Sequence, residues 1–222
     1  MNRAWHARPL PLLLGLVAYL LFVPAVAHGD RLPALGLVTI ALFALGTLAV
    51  ARHPRRRRAS IVMLVLTSAA RVTFWFAPSR PCLVLMQVTG IAFLLLTTLS
   101  LMRVTLGRTE RIDERIEAAL ATYLLLGFVW AVAYSFVSLE SPGSFRFPEA
   151  VATFGDPVSE SKLEHQFLYF SFVTLTTVGY GDVTPVLPIA RSLAVLEAVT
   201  GQLFLAVTIA KLVGARPADG AS

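Results

Sequence analysis

The sequence predicts an all-α integral membrane protein with six transmembrane helices and a re-entrant segment between the last two. Three observations carry this expectation. Hydrophobic residues make up 56% of the chain and charged residues only 14%, whereas soluble domains carry about 25% charge; the mean hydropathy is +0.73. Apolar runs recur near residues 9–27, 33–51, 60–77, 82–102, 117–139 and 189–213, each close to the ~20 residues that a spanning helix needs. Finally, the stretch TLTTVGYGDVTP at 174–185 sets irregular, glycine-rich backbone between apolar segments.

The first run, within MNRAWHARPLPLLLGLVAYLLFVPAVA, has a basic start and ends on Ala25, Val26 and Ala27, in the manner of a signal-peptide cleavage site. It is either a retained first span or a cleaved signal, which leaves five spans in the same orientation. The connectors divide by charge. Those on the side of the N-terminus hold Arg3, Arg8, Arg52, Arg55–Arg58, Arg103, Arg108, Arg111, Arg115, Lys211 and Arg216, 13 of the 19 Lys and Arg. The positive-inside rule then places both termini in the cytoplasm of a multi-pass plasma-membrane protein. The cluster Arg55–Arg58 reads as a topology anchor against anionic lipid rather than a nucleic-acid site, so no nucleic-acid partner is expected. Arg71 is the one basic residue inside the first four runs; it either snorkels to the interface or pairs with an acid in another span. The fourth run, 82–102, contains no charge, and the single Cys82 allows no disulfide within the chain.

Between the fourth and fifth runs, GRTERIDERIEAAL sets Arg108, Arg111 and Arg115 on one face, with Ile112, Ile116 and Leu120 recurring every four residues. This reads as a short interfacial helix over 108–116, either a coupling element or a charged connector. Residues 140–163 are polar and turn-rich and form an external loop. Ser161 and Glu164 offer a capping box, from which a helix of about 13 residues would reach only ~20 Å. The chain goes into the membrane and must come back. Non-helical backbone at membrane depth is tolerated only where protein buries it or where it lines a watery cavity. Gly179 and Gly181 can adopt positive φ. Alternating left- and right-handed residues there turn successive carbonyls toward one axis, as an oxygen cage for a dehydrated monovalent cation. One chain supplies one wall, so rotational symmetry must supply the rest.

TTVGYGD resembles the selectivity-filter signature of potassium channels, and residues 117–213 look like a bacterial two-span pore module. The resemblance implies a re-entrant pore helix and selectivity-filter loop in a tetrameric pore: a homotetramer of a bacterial plasma membrane conducting K⁺ passively, with no catalytic chemistry and no cofactor beyond the permeant ion. By resemblance the filter is Thr177, Val178, Gly179, Tyr180 and Gly181, with K⁺ held by the carbonyls of Thr177, Val178, Gly179 and Tyr180 and by the Thr177 hydroxyl. Thr176, Tyr169, Phe170 and Asp182 support the filter and its mouth, with Tyr180 packing near Tyr169 or Phe170. The sequence departs from relatives at Val173, where many carry a carboxylate behind the filter, and at Tyr169 and Phe170, which replace a tryptophan pair. Gly201 occupies the place of a hinge glycine, and it serves as a hinge or as a close-packing position. Glu197, an ionisable group at membrane depth, either tunes the cavity together with Gln202 or braces the filter from behind.

The remaining expectations concern electrostatics and rivals. Glu140, Glu149, Asp156, Glu160, Glu164 and Asp182 against Arg146 and Lys162 give the outer loop a net −4 per chain, a negative vestibule in four copies or merely a solvated loop. Residues 1–107 form a four-helix domain without a voltage sensor, because a sensor needs a basic residue at every third position of its fourth span. Residues 117–213 form the pore domain, and 214–222 a disordered tail. The four His, at 6, 28, 53 and 165, show no metal spacing. The rival readings are a weakly selective cation channel and a silent or regulatory subunit of another channel.

Overall fold

The computed structural model describes residues 9–27, 32–50, 54–107, 111–148 and 157–214. In chain order these form α1 (Leu10–Ala27), α2 (Leu32–Val50), α3 (Pro54–Phe76), α4 (Arg80–Leu106), α5 (Ile112–Glu140), β1 (Phe145–Arg146), α6 (Pro157–Leu175), β2 (Thr184–Pro185) and α7 (Pro188–Val213). Proline stands in the first turn of several helices: Pro54 begins α3, Pro157 begins α6 and Pro188 begins α7, and Pro81 lies in the first turn of α4. A missing N–H costs nothing there, and the fixed φ suits a helix start. Arg103 and Lys211 lie in the last turns of α4 and α7, against the negative ends of the helix dipoles.

α4 packs against α3 and α5, α1 against α2 and α5, and α6 against α5 and α7. α5 is therefore the central post. Its buried face carries Ala118, Ala119, Ala121, Gly127 and Ala131, and small residues let helix backbones approach closely where lipid removes any hydrophobic drive between helices. Phe93, Leu101, Leu125, Tyr134 and Phe167 fill the space between them. Polar residues on the buried face of α4 are satisfied locally: the hydroxyls of Thr97, Thr98 and Thr105 donate to the carbonyls of Phe93, Leu94 and Leu101, one turn back. Leu12 and Leu16 of α1 are buried, and Tyr19 meets the edge of Phe128 on α5.

Among the described residues, α4, α5 and α7 are long and apolar enough to cross a bilayer. The apolar stretches of α1 and α2 are shorter, Leu10–Phe22 and Gly36–Val50. α3 carries Arg55–Arg58 and Arg71.

Three local expectations are corrected, and a fourth falls partly outside the described residues. Of the interfacial helix expected over 108–116, residues 108–110 lie outside the described set, and residues 112–116 open α5, which runs unbroken from Ile112 to Glu140. Arg115 is buried, donating from Nε to the Thr105 carbonyl at 3.2 Å and from Nη2 to the Lys211 carbonyl at 3.5 Å. The helix expected from Ser161 begins earlier, at Pro157, and is 19 residues long. Glu164 bonds Arg71 of α3 instead, 3.1 Å from its Nη2, so Arg71 pairs rather than snorkels. The external loop contains a strand, since β1 pairs antiparallel with β2, Phe145 opposite Pro185 and Arg146 opposite Thr184. A two-residue ribbon closed across the chain leaves no sequence period to read. Residues 149–156 and 215–222 lie outside the described set, and with them Glu149, Asp156 and most of the tail.

Candidate functional site

The ribbon fixes the geometry of the site. β1 follows α5 and β2 precedes α7, so the C-terminal end of α5 and the N-terminal end of α7 lie side by side. α6 descends from that end. Its last residue, Leu175, meets Gly201 of α7, where an added Cβ would stand 2.6 Å from Leu175 Cδ1 and 3.2 Å from its carbonyl oxygen. Gly201 lies about 20 Å along α7 from Pro188 at 1.5 Å per residue. Tyr123 of α5 donates to the same carbonyl at 3.2 Å. From this depth the chain regains β2 in nine residues, which at ~3.3 Å per extended residue reach about 30 Å. Residues 176–183 are thus the rising arm. Gly201 is required by the approach of Leu175, and α7 runs unbroken through it.

The arm has an alternating backbone. Thr177, Gly179 and Gly181 take positive φ, +61°, +60° and +80°, while Val178 and Tyr180 between them do not. Alternation of handedness brings successive carbonyls toward one side. At Gly179 and Gly181 a Cβ would meet no atom within 4 Å, so glycine is held there by φ alone. At Thr177, which the resemblance placed in the filter, it is the positive φ that sequence reasoning missed. A β-branched residue at φ +61° is strained by roughly 1–3 kcal/mol, and nothing in its side chain announces it. The turn is held from behind: Thr177 N–H donates to the Thr174 carbonyl at 3.0 Å, and the N–H groups of Val178 and Gly179 both donate to the Val173 carbonyl, at 3.0 and 3.2 Å. At Val173, where a carboxylate side chain is missing, the backbone carbonyl does the holding. The Thr176 hydroxyl donates to Phe172 O at 2.6 Å.

Above the arm, Tyr169 donates to Asp182 Oδ2 at 2.7 Å, and Val183 N–H to Oδ1 at 3.0 Å. The Tyr169 bond chiefly holds the Asp182 carboxyl below its ordinary value, and the same bond pushes the Tyr169 phenol up to about 12. Val186 N–H donates to the Ser144 carbonyl at 2.8 Å, which ties the end of the arm to the loop after α5. Tyr180 lies within electrostatic range of Tyr169. Phe170 is buried in an aromatic cluster with Tyr134 and Phe145, ring centroids 5.1 and 5.6 Å away. Tyr180 remains 72% exposed within one chain. Tyr169 spends its hydroxyl on Asp182.

Behind the arm lies a polar junction of three helices. Glu197 of α7 is fully buried. Its Oε2 accepts from the Tyr134 hydroxyl of α5 at 2.5 Å, and its Oε1 lies 2.5 Å from Ser171 Oγ of α6. Ser171 Oγ is also 2.8 Å from the Gly127 carbonyl of α5. Glu197 is therefore the brace between α5, α6 and α7. Gln202, expected to share the cavity with it, is exposed in the single chain and is not part of the junction. The sequence showed Glu197 as an oddity; its partners Tyr134 and Ser171 had no signal, being an aromatic and a small residue in apolar runs. Gly127 is needed for the same contact, since a Cβ there would stand 2.7 Å from Phe172 Cζ. Among the described residues no group of three or more His, Cys, Asp or Glu is placed to hold a metal.

Comparison with known proteins fits this geometry. Residues 119–215, the span from α5 to just beyond α7, match a family described as "Ion channel". Protein LctB of Geobacillus stearothermophilus is 37% identical over 91 residues, a match covering 40% of this chain and 62% of that protein, so this chain spans less than two thirds of LctB's length. The family match covers less than half of the chain, and two of the three described helices that are long and apolar enough to cross a membrane, α5 and α7, lie in the matched region.

Proposed function

We propose that residues 119–215 form one quarter of a K⁺-selective pore, completed by three further copies of the chain around a common axis. The observation that carries the reading is the TVGYG run with left-handed backbone at every second residue, Thr177, Gly179 and Gly181. In four copies the carbonyls of Thr177, Val178, Gly179 and Tyr180, with the Thr177 hydroxyl, replace the hydration shell of K⁺, which crosses passively down its gradient. Two features support assembly. The arm is uncovered in the single chain, with Val178 52% and Tyr180 72% exposed. α7 is apolar yet little covered by its own chain: Val195, Leu196, Val199 and Leu203 are all exposed, and such a face belongs against lipid or other copies.

In this reading α6 is the re-entrant pore helix, α5 and α7 are the outer and inner pore helices, and α1 to α4 are spans without an arginine sensor. Both termini are cytoplasmic in a bacterial plasma membrane, with Arg55–Arg58 against anionic lipid and no nucleic-acid partner. Asp182 lines the outer mouth as a carboxylate, where it concentrates cations. Gly179→Ala tests the assignment of the pathway. The methyl finds open space, so packing is unaffected, but φ +60° becomes costly by roughly 1–2 kcal/mol in each copy. K⁺ flux in proteoliposomes should vanish while insertion and assembly persist. Undiminished flux would place the pathway elsewhere.

A further inference from the structure

Six helices each contribute one polar side chain to the wall of a single cavity of about 80 Å³: Tyr19, Thr39, Arg71, Gln87, Ser135 and Glu164, from α1 to α6 in order. Each lies between five and eight residues from the end of its helix on the side where β1 and β2 meet. All six are therefore at one depth, about 8–12 Å inside that end at 1.5 Å per residue. Most of the polarity is spent internally. Arg71 Nη2 bonds Glu164 Oε1 at 3.1 Å, Gln87 Nε2 donates to Ser135 Oγ at 2.9 Å, and the hydroxyls of Tyr19 and Thr39 meet at 3.3 Å. Among the buried acceptors of this wall the exception is Gln87 Oε1. Gln87 is only 4% exposed, and this oxygen is fully buried with no donor. A buried acceptor left unmet is costly. The remaining wall is apolar, with Leu94 and Phe128 facing the space.

We propose that this cavity is a binding site for a small uncharged molecule bearing one hydroxyl, of the short-chain alcohol class. The hydroxyl donates to Gln87 Oε1, and the alkyl part lies against Leu94 and Phe128. Size sets the limit. A cavity of roughly 150 Å³ holds benzene, so 80 Å³ takes about three or four heavy atoms. Water alone would leave the apolar part of the wall, Leu94 and Phe128 among it, without a partner. The occupant sits beside the Arg71–Glu164 pair that ties α3 to α6. Occupancy therefore bears on the helix that leads into the TVGYG arm. That last consequence rests on the function proposed above; binding does not.

The test uses the full chain, crystallised and soaked with 2-bromoethanol or, separately, with 1-bromopropane, which has the same number of heavy atoms and no hydroxyl. An anomalous bromine peak between Phe128 and Gln87 with 2-bromoethanol, at least several-fold weaker with 1-bromopropane, is the expected result. Equal peaks, no peak, or water alone in the cavity overturns the site. Gln87→Met, which keeps the volume, should lose the preference for the hydroxyl. In proteoliposomes 2-bromoethanol should change K⁺ flux of the wild type and leave Gln87→Met unaltered. A bound bromine with flux unchanged sinks the coupling to α6 while keeping the site. Absence of flux under every condition counts against the channel reading instead.

Discussion

Replacing Glu197 separates a hydrogen-bonded brace from a cavity charge. The junction holds three short contacts, Tyr134–Glu197, Ser171–Glu197 and Ser171–Gly127 carbonyl, and each needs a proton between its oxygens. Tyr134 supplies one and Ser171 supplies one. If the third comes from the carboxylic acid itself, the acid donates to Ser171 while Ser171 donates to the Gly127 carbonyl. Glutamine reproduces that pattern, its carbonyl accepting from Tyr134 and its amide donating to Ser171, so Glu197→Gln should cost less than about 1 kcal/mol. Glu197→Ala leaves the buried Tyr134 hydroxyl without an acceptor, roughly 1–3 kcal/mol, and removes side-chain volume from a site with no exposure, for a total of about 2–4 kcal/mol per chain. Thermal melts of the purified protein should show a clear loss of Tm for the alanine variant and little for the glutamine variant, with K⁺ flux following the same order. If Glu197→Gln proved as damaging as Glu197→Ala, the proton count would be wrong and a carboxylate charge would be required at this position.

Three further predictions probe other contacts. Gly127→Ala drives a methyl into the Phe172 ring, with three ring carbons at 2.7 to 3.1 Å; a destabilisation of roughly 1–3 kcal/mol is expected, and an unchanged Tm would mean that α5 and α6 are not so close. Tyr169→Phe removes the main cause of the lowered Asp182 pKa. A depressed carboxyl keeps its contribution above its ordinary 3.8 and loses it as pH falls through the lower folded value. Flux measured against external pH should therefore fall at a lower pH in wild type than in Tyr169→Phe, and coincident midpoints would remove Asp182 from the mouth. Arg115→Gln weakens the link from the last turn of α4 to that of α7; hydrogen exchange at residues 208–213 should rise several-fold, and unchanged exchange would show that α7 ends independently of Arg115.

The helices were legible because apolar length and basic connectors are one-dimensional signals. Residues 82–102, for instance, lie inside α4, and the TVGYG run marks the break after α6. What stayed hidden depends on partners distant in sequence. Arg71 and Glu164 are separated by 93 positions, so neither announces the pair, and the capping pattern at Ser161 offered Glu164 a plausible local role instead. Ser171, Tyr134 and Gly127 look like ordinary packing residues until Glu197 is placed among them. The ribbon of β1 and β2 is two residues wide on each side, too short for any alternation to show. Thr177 hides for another reason: its φ is imposed by the fold of the arm, against the preference of a β-branched side chain.

The central claim is that four TVGYG arms select K⁺, and reversal potential tests it most directly. With the full chain in planar bilayers, KCl on one side and NaCl on the other, current should reverse far from zero, with the sign set by K⁺. At a selectivity of about 100-fold the displacement is on the order of two decades of permeability ratio, which corresponds to ~2.7 kcal/mol between the two ions. A reversal potential near zero from conducting wild-type channels would contradict the account and leave a weakly selective cation pore.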